Sequence, residues 1–398
     1  MTNYYNVINA EYITALKSSS TIYRTMIQPL DEYERPIGEI YADLLMSEAP
    51  RIDIGDNNGI RRTCTAALYN YDDKYSPNKN GFVWYKRKIR VFEGVITGTA
   101  AYWQCIGVYV CRSAAESRGI LQLTAIDKYG ILNGELNYGR STAQLSTDIA
   151  SGDIYVAELI RDTLTAVSAG GVLDCIAPII EPYFETQKLY ADISLGAGQP
   201  YGAILTALAS MYGANCYYDR LGRLRFIRRP DYNIPSWYGH VGAVWTFSED
   251  DVNILDGYSK VTEFKAVNTV TVSSDNTDGE ITTVTVCNND PVSPVSVPNI
   301  GEQLNSEATV YISIGDTTLD TAENKCREYG AYLLLQNAIQ ACSISFTTAL
   351  IPHLDVGDLL SYKGADMLIT QMSMDLDAKT MTIAAVNVSE IPRIEVRA

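Results

Sequence analysis

The stretch IPHLDVGDLLSYKGADMLITQMSMDLDAKTMTIAAV, residues 351–386, combines several aspartates and one histidine with runs of alternating apolar and polar residues. Alternation with a period of two is typical of strands that bury one face. It predicts two strands, DLLSY and MLITQMSMDL, then a turn at 377–380 and a closing strand, MTIAAVNV. The segment just before it, ACSISFTTAL, predicts one more strand. The stretch therefore predicts the closing strands of a β domain.

The aspartates of this stretch raise the question of whether it does chemistry or only folds. Gly357 permits a tight turn, and Asp355 and Asp358 on either side of it are suited to accept hydrogen bonds from backbone N–H groups. Asp375 and Asp377 bracket the hairpin turn in the same way. The two pairs lie at opposite ends of a predicted strand roughly 25 Å long. Since catalysis or metal binding needs carboxylates that converge, we expect these residues to be structural.

Working outward, the sequence divides into three parts. Residues 18–146 contain six apolar or alternating segments between turn-rich spacers, which predict a β barrel or sandwich. The segments are STIYRTMIQPL, IGEIYADLLMSE, IRRTCTAALYNY, KRKIRVFEGVIT, YWQCIGVYVCRSA and GILQLTAIDKYG.

The middle of the chain changes period. In GDIYVAELIRDTLTAVSAGG, four apolar residues share one helical stripe: Val156, Ile160, Leu164 and Val167. QPYGAILTALASMYG predicts a second helix, with four residues turned inward: Ile204, Leu205, Leu208 and Met211. NCYYDRLGRLRFIRR predicts a hairpin that turns at 219–222. These segments form a small α+β module.

The last part returns to strands, YSKVTEFKAVNTVTVSS and EITTVTVCNN. The proline-rich DPVSPVSVPNIGE predicts an extended connection. LDTAENKCREYGAYLLLQNA predicts one long helix, which Asp320 caps with Glu323 three residues on. Its apolar stripe consists of Ala322, Cys326, Tyr329 and Leu333.

Other groups of residues suggest a ligand site only weakly. SLGAGQPYG has three glycines, Gly196, Gly198 and Gly202, but their spacing departs from the dinucleotide fingerprint, and the parallel βαβ context is missing. Asp250 and Asp251 leave a paired-carboxylate hydrolase conceivable, without a second acid placed by known geometry. The strongest basic run predicts the wet face of a strand rather than a nucleic-acid site: Lys86, Arg87, Lys88 and Arg90. We therefore expect no catalytic residue, cofactor or metal.

Composition narrows the function further. The 398 residues carry a net charge of −16, and residues 251–398 hold 20 acidic and 8 basic side chains. Such a surface disfavours tight binding to nucleic-acid phosphates. The two histidines, His240 and His353, are too few for most zinc sites and catalytic triads. No segment predicts a membrane span or a secretory signal. The 28 tyrosines against 7 phenylalanines favour half-buried strands and protein interfaces.

The cysteines are scattered, and no C-x-x-C pair occurs among them. They are Cys64, Cys105, Cys111, Cys175, Cys216, Cys287, Cys326 and Cys342. Because most occupy apolar positions of periodic segments, we expect buried thiols rather than disulfides or a zinc site.

Laid in order, four segments resemble the hub proteins of phage tails and related contractile injection particles, including the structural N-terminal part of tail-associated proteins. KRKIRVFEGV followed by WQCIGVYVCRSA is similar to the first tube domain of that family. GQPYGAILTALASMYGANCYYDRLGRLRF is similar to its middle module, and NDPVSPVSVPNIGE to the linker of its second tube domain. IPHLDVGDLLSY with LITQMSMDLDAKTMTIAAV is similar to its closing strands.

This resemblance implies an α+β, mainly β fold, with two β-barrel-like tube domains at 1–150 and 256–398 flanking a module at 151–255. It implies a non-enzymatic homotrimer that joins the hexameric tail tube, or a distal tail protein, to a threefold spike or tip. DNA or a tape protein would pass through an acidic lumen without specific binding. The particle would be assembled in the bacterial cytoplasm, without membrane insertion.

Two alternatives remain open at this point. One is a hexameric distal-tail or wedge component. The other is a tail-tip protein that binds or hydrolyses carbohydrate through exposed aromatics, with Trp237, Tyr238 and Trp245 as candidates. Packing of these aromatics into a core or interface is the simpler interpretation.

Overall fold

The computed structural model describes residues 2–18, 20–41, 50–55, 59–70, 73–77, 83–136, 143, 147–150, 152, 154–168, 176–189, 192–228, 243–247, 254–261, 267–275, 281–291, 293, 295–311, 319–340 and 343–387.

The first part of the chain is mainly strand, as predicted. Its strands are β1 (Thr2–Tyr5), β2 (Ile22–Pro29), β3 (Ile40–Tyr41), β4 (Arg51–Gly55), β5 (Arg62–Tyr69), β6 (Lys88–Ile96), β7 (Ala100–Ser117) and β8 (Ile120–Asp127). Its helices are α1 (Ala10–Leu16) and α2 (Tyr129–Leu132). β1, α1 and β4 were not predicted. The segment IGEIYADLLMSE contributes only β3, and its residues 42–48 lie outside the described residues.

The middle part forms the predicted module. Its elements are β9 (Thr147–Ile149), α3 (Val156–Ser168), β10 (Ile179–Ile180), a 3₁₀ helix (Pro182–Glu185), β11 (Ile193–Leu195), α4 (Gly202–Met211), β12 (Ala214–Tyr218) and β13 (Leu224–Arg228). The predicted α3 stripe is buried along its whole length. In α4, Ile204, Leu205 and Leu208 are buried, and Met211 packs at the edge of the same core.

The last part contains two groups of strands and the long helix. Its strands are β14 (Trp245–Phe247), β15 (Ile254–Val261), β16 (Thr269–Asp275), β17 (Thr283–Cys287), β18 (Asn305–Tyr311), β19 (Ser343–Ala349), β20 (Leu359–Tyr362), β21 (Ala365–Asp375) and β22 (Thr380–Asn387). Its helices are α5 (Val297–Ile300) and α6 (Leu319–Gln340).

Two local predictions for the last part were wrong. The proline-rich segment is not extended throughout, because Pro298 stands in the first turn of α5, where its fixed φ suits a helix and its missing N–H is not needed. Asp320 is not a cap, because α6 already begins at Leu319. The stripe of α6 is confirmed: Ala322 and Cys326 are buried, and Tyr329 and Leu333 pack beside them.

One large sheet joins the two ends of the chain. Its strand order is β15-β19-β22-β21-β4-β5-β8-β7-β6-β2-β3, which is open among the described residues, and β1, β14 and β20 pair at its side. β21 pairs antiparallel with β4, so that Asp375 lies opposite Arg51 and Met374 opposite Ile52. The mainly β, α+β class is confirmed. The domain division at 150 and 255 stays a prediction, and this sheet crosses it.

An extensive apolar core lies under this sheet. It draws on both ends of the chain, with Ile52 and Cys64 from the first part and Met372, Met374 and Ile383 from the last. Burying large apolar side chains contributes about 1.5–3 kcal/mol each, so this shared core holds the two ends in one unit.

The module packs against the first part through close backbone contact. A Cβ added at Gly202, the first residue of α4, would lie 2.8 Å from the carbonyl oxygen of Leu132. At the hairpin turn, Gly222 has φ +75° and a Cβ there would lie 2.8 Å from Cβ of Val108 in β7. Glycine is therefore required at both contacts.

A smaller unit is formed by β16, β17 and β18 with α6 across them. β16 lies in the middle, antiparallel to β17 and parallel to β18. Its core is small and consists of Val270, Val272, Val284, Val286, Ala322, Cys326 and Leu334. Within the described part of the chain, no helix is both long enough and apolar enough to cross a membrane.

Candidate functional site

The aspartates of residues 351–386 lie where the sequence predicted, at turns. Gly357 has φ +95°, the left-handed region that favours glycine. Asp358 Oδ2 accepts a hydrogen bond from the backbone N–H of Asp355 at 2.8 Å. Asp375 Oδ1 accepts the N–H groups of Asp377 and Ala378 at 3.0 and 2.8 Å. The predicted turn hydrogen bonds of Asp358 and Asp375 are confirmed.

Asp355 also has a partner that sequence analysis missed. Arg62 of β5 donates from Nη2 to both Asp355 carboxylate oxygens, at 2.5 and 2.6 Å. The Arg62 side chain is 1% exposed and that of Asp355 19% exposed. Burial opposes the charge on Arg62, but Asp355, together with Tyr109 and Asp127, raises the pKa of Arg62. The pair links the first part of the chain to residues 351–358.

His353 lies beside this pair and serves as a packing and hydrogen-bonding residue. Its Nδ1 is 3.0 Å from the hydroxyl of Tyr12 in α1, and its carbonyl accepts a hydrogen bond from Arg220 at 2.9 Å. Burial, with Arg220 nearby, lowers the pKa of His353 to about 4, so the ring is neutral at pH 7. Trp245 packs against the same ring, with centroids 5.6 Å apart.

Four segments of the chain thus meet at one place, which we call the polar junction: α1, the start of β5, the hairpin turn of the module and residues 351–358. Asp358 adds a carboxylate to it. Burial, and to a lesser extent the neighbouring Asp355, raise the pKa of Asp358 to about 6. The junction gives the large sheet a fixed attachment to the module.

Asp127, at the end of β8, orders the backbone next to the junction. Its carboxylate accepts the N–H groups of Arg61, Arg62 and Tyr129 at 2.7, 2.9 and 3.0 Å. Burial raises the pKa of Asp127 to about 6 in spite of these bonds. Asp127 therefore positions Arg62 for its pairing with Asp355.

The basic run at 86–90 does not form one wet face. Lys88 is 7% exposed, and its Nζ pairs with Glu34 Oε1 at 2.9 Å. Lys128 is fully buried and pairs with the same oxygen at 2.8 Å. Burial raises the pKa of Glu34, but the two lysines lower it by more. The prediction for Lys88 was wrong because a buried carboxylate 54 residues away holds the ammonium.

A third buried ion pair ties the two ends of the sheet together. Glu93 of β6 is fully buried and accepts hydrogen bonds from Thr25 at 2.6 Å and from Lys379 at 2.8 Å. Lys379 belongs to the turn between β21 and β22. Burial raises the pKa of Glu93, against the effect of Lys379. Like the backbone pairing of β4 with β21, this ion pair joins the first part of the chain to the last part.

Most other candidate residues have structural positions. β11 pairs antiparallel with β9, so the glycines after it do not belong to a parallel βαβ unit. Trp245 is 4% exposed and packs in the core, as the simpler interpretation predicted. His240, Trp237, Tyr238, Asp250, Asp251, Cys175 and Cys342 lie outside the described residues.

The described cysteines form no disulfide. Five are buried and Cys287 is half-buried. Burial raises the pKa of Cys64 to about 12, so its thiol stays protonated and inert. The expectation of buried thiols is confirmed for the five buried positions. Among the described residues, no three His, Cys, Asp or Glu side chains are placed to hold a metal ion.

The charges of the polar junction are bonded to one another and to backbone groups. Each buried cation described above has a carboxylate partner, and each buried carboxylate also bonds to a cation or to backbone N–H groups. A buried charge that loses its partner destabilises a protein by about 3–5 kcal/mol, whereas the intact pair adds specificity more than stability. The junction therefore fixes the relative positions of the segments that it joins.

Two of the exposed tyrosines, Tyr4 and Tyr5, lie on β1. β1 runs parallel to β7, with Tyr5 opposite Trp103. Tyr4 is 41% exposed and stacks on Tyr102, and Tyr5 is 45% exposed and contacts Phe92 edge-on. Half-wet tyrosines on an edge strand match the predicted interface composition.

No protein-family model matches the sequence, and no curated protein does so either. The structure is similar to the tail protein of Neisseria meningitidis MC58, with a TM-score of 0.57, 14% identity, and coverage of 93% of this chain and 97% of that one. It is similar to the 43 kDa tail protein of prophage MuSo2 from Shewanella oneidensis, with a TM-score of 0.52, 12% identity, and coverage of 92% and 99%. It is also similar to a chain of the Francisella PdpA-VgrG complex, with a TM-score of 0.50, 10% identity, and coverage of 98% and 62%. The chain therefore has the fold of phage tail proteins, as the resemblance predicted.

Proposed function

We propose that the chain is a structural, non-enzymatic hub of a phage tail or a contractile injection particle. Three copies form a ring that lines a channel and joins the hexameric tail tube, or a distal tail protein, to a threefold spike or tip. DNA or a tape protein passes through it. The proposed location is the tail of the particle, after assembly in the bacterial cytoplasm.

The observation that carries this proposal is that the fold of this chain matches two tail proteins over nearly their whole length. In addition, one sheet of the chain is built from both of its ends. The likeness covers 97% and 99% of two tail proteins, so it extends far beyond one common β unit. The continuous sheet gives each copy a wide and rigid wall. Ring walls need such a surface, because closure between copies also removes exposed strand edges.

The non-enzymatic part of the proposal is supported by the use of the buried charges. Four buried or partly buried cations pair with carboxylates: Arg62, Lys88, Lys128 and Lys379. The carboxylate of Asp127 accepts hydrogen bonds from backbone N–H groups. Reduced cysteines at the described positions suit assembly in a reducing cytoplasm.

Mass in solution and particle imaging test the proposal. A species near three times 43.9 kDa by light scattering, with a ring and a central hole in electron micrographs, is the expected result. A mass near six times that value indicates a wedge or distal-tail component. A monomer at every concentration, with affinity for cell-wall glycans, overturns the hub assignment in favour of the tail-tip protein.

A further inference from the structure

One face of the large sheet has an unusual composition. Seven adjacent strands run in the order β19, β22, β21, β4, β5, β8 and the second half of β7. Their buried residues alternate with outward-facing ones, which are mostly serine, threonine and alanine, with two glutamines and a few charged residues among them. We call these outward-facing residues the hydroxyl face. It crosses from the last part of the chain to the first through the β4–β21 pairing.

The strand register shows that the hydroxyl face is continuous. One lateral row of neighbouring residues runs through Thr347, Thr382, Ser373, Asp53 and Thr63. Hydrogen bonds connect its members: the hydroxyls of Thr347 and Thr382 are 3.1 Å apart, and Ser373 donates to Asp53 at 2.6 Å. Such cross-strand bonds hold the side chains down against the sheet.

The hydroxyl face carries little net charge. Its exposed or half-buried charged members in the described strands are two arginines and three aspartates, Arg51, Arg112, Asp53, Asp366 and Asp375, and Arg51 lies 3.9 Å from Asp53. Other exposed carboxylates of the last part lie off these strands, with Glu307 and Glu328 in the smaller unit and Asp377 in a hairpin turn. A surface without an excess of cations does not hold phosphates, and one with few aromatic rings does not stack with bases.

We infer that the hydroxyl face is the wall of the channel and that its occupant is duplex DNA in transit. The inference rests on the proposed function and specifies which surface faces the lumen. It also replaces the expected acidic lumen with a nearly neutral one, whose lack of adhesion comes from short uncharged side chains. Short side chains leave few atoms that could hold a moving polymer by contact.

The dimensions agree with this occupant. Strands spaced about 4.8 Å apart and tilted by about 40° each span about 6 Å of a circumference. Seven strands from each of three copies then span about 130 Å, which corresponds to a channel about 40 Å across between backbones. A channel of that width admits a DNA duplex.

Two sets of variants test the inference, three cysteine variants and then a pair of lysine variants. Thr65→Cys and Thr382→Cys place a thiol on the hydroxyl face, at positions that are exposed in one copy. Ala166→Cys places one on an exposed turn of α3 as a matched control. Rings are labelled with maleimide gold and imaged, with unsubstituted protein labelled in parallel as the background.

Gold in the central hole for Thr65→Cys and Thr382→Cys, but on the rim for Ala166→Cys, is the expected result. Gold on the outer wall for all three overturns the inference and leaves the ring intact. The same thiols could react with a small methanethiosulfonate reagent in the monomer but not in the ring. That result would place the hydroxyl face between copies and would also overturn the inference. A chain that forms no ring overturns the proposed function, and the inference with it.

The second set identifies the occupant. The double variant Thr65→Lys/Thr382→Lys adds six cations to the wall of a trimeric ring, and Ala166→Lys adds charge off the face. Linear duplex DNA should leave rings of the double variant at least about tenfold more slowly than wild-type or Ala166→Lys rings at low salt, while closed circles are not retained.

Equal retention of circles and linear DNA means binding outside the channel and overturns the inference. Retention of polyglutamate but not of linear DNA assigns the channel to a polypeptide and overturns the choice of DNA. Unchanged melting temperatures of the variants show that the wall itself has not been disrupted.

Discussion

The large sheet and the smaller unit of β16–β18 with α6 are stabilised in different ways. The large sheet combines an extensive apolar core with buried ion pairs at Arg62–Asp355, Lys88–Glu34 and Lys379–Glu93. The smaller unit has seven buried residues in its core, mostly valine. Buried charge is thus used where distant segments of the chain must meet in one arrangement, whereas the smaller unit combines apolar packing with hydrogen bonds of uncharged buried side chains such as Asn268 and Asn288.

The largest expected effect is the loss of one charge from the polar junction. Arg62→Ala leaves Asp355 without its cation, and we expect the free energy of unfolding of the large sheet to fall by about 3–5 kcal/mol. Urea unfolding followed by tryptophan fluorescence measures it. The double variant Arg62→Leu/Asp355→Leu removes both charges and should recover most of the loss. A single variant within about 1 kcal/mol of wild type would show that the junction does not hold the sheet.

A smaller effect should follow from the ionisation of Asp358. Because its pKa is raised to about 6 in the folded state, against about 3.9 when unfolded, the protonated carboxyl favours folding. This contribution is complete below pH 4 and is lost as the pH rises through 6, at about 2–3 kcal/mol in all. Asp358→Asn keeps an acceptor for the N–H of Asp355 and cannot ionise. We expect it to be more stable than wild type at pH 8 and equal to it at pH 4.

Denaturant unfolding at both pH values checks this prediction. Asp377→Asn, on an exposed turn residue, is the matched control and should change stability at neither pH. If Asp358→Asn loses stability at pH 8, then the carboxylate is stabilised by its surroundings, and the direction of the pKa shift is wrong.

The smaller unit should respond to packing and not to charge. A Cβ at Gly330 of α6 would lie 2.7 Å from Cγ2 of Val286, so Gly330→Ala overpacks this core. Overpacking costs about 1–3 kcal/mol and the gain in helix propensity offsets up to about 1, for a net loss of about 1–2. Hydrogen exchange should speed up in β16–β18 and stay unchanged in β21 and β22. Adding Val286→Ala removes the side chain that a Cβ at position 330 would meet, and it should restore slow exchange in β16–β18. Faster exchange in β21 and β22 as well would mean that the two units unfold together.

The smallest effect is expected at a surface ion pair. Arg161 and Glu185 pair on the outside of the module, with side chains 50% and 44% exposed. Solvent screens such pairs, so Arg161→Ala should change stability by no more than about 0.5 kcal/mol. Thermal melting at low and high salt measures this change. A loss comparable to that of Arg62→Ala would remove the distinction between buried and exposed pairs.

Local pattern was enough to predict much of the fold. Alternation identified β5 to β8 and β19 to β22, and the helical stripe at Val156–Val167 identified α3, because each of these segments buries one face. Alternation did not show that β4 pairs with β21, since pairing between strands more than 300 residues apart leaves no local signal. β1 was missed because its four residues are all exposed and show no alternation.

The buried charges were the main omission. Arg62 precedes Cys64, Ala66 and Leu68 at the same spacing of two along β5, so its inward direction was readable from the sequence. Its partner was not, because Asp355 lies 293 residues away. Lys88 was predicted to be exposed for the same reason. Its partner Glu34 belongs to a loop, and the position of a loop in space cannot be predicted from sequence periodicity.

The pairing of β4 with β21 has a consequence for synthesis of the chain. A ribosome adds about 5–20 residues per second, so β4 waits tens of seconds for the strand that covers its edge. During that time the first part exposes the strand edge and the apolar surface that β21 and β22 later occupy. Copies that have been released incomplete keep this defect, and they cannot present a continuous wall to their neighbours. In the proposed ring, this topology would admit only completed chains, which is a form of quality control without a dedicated factor.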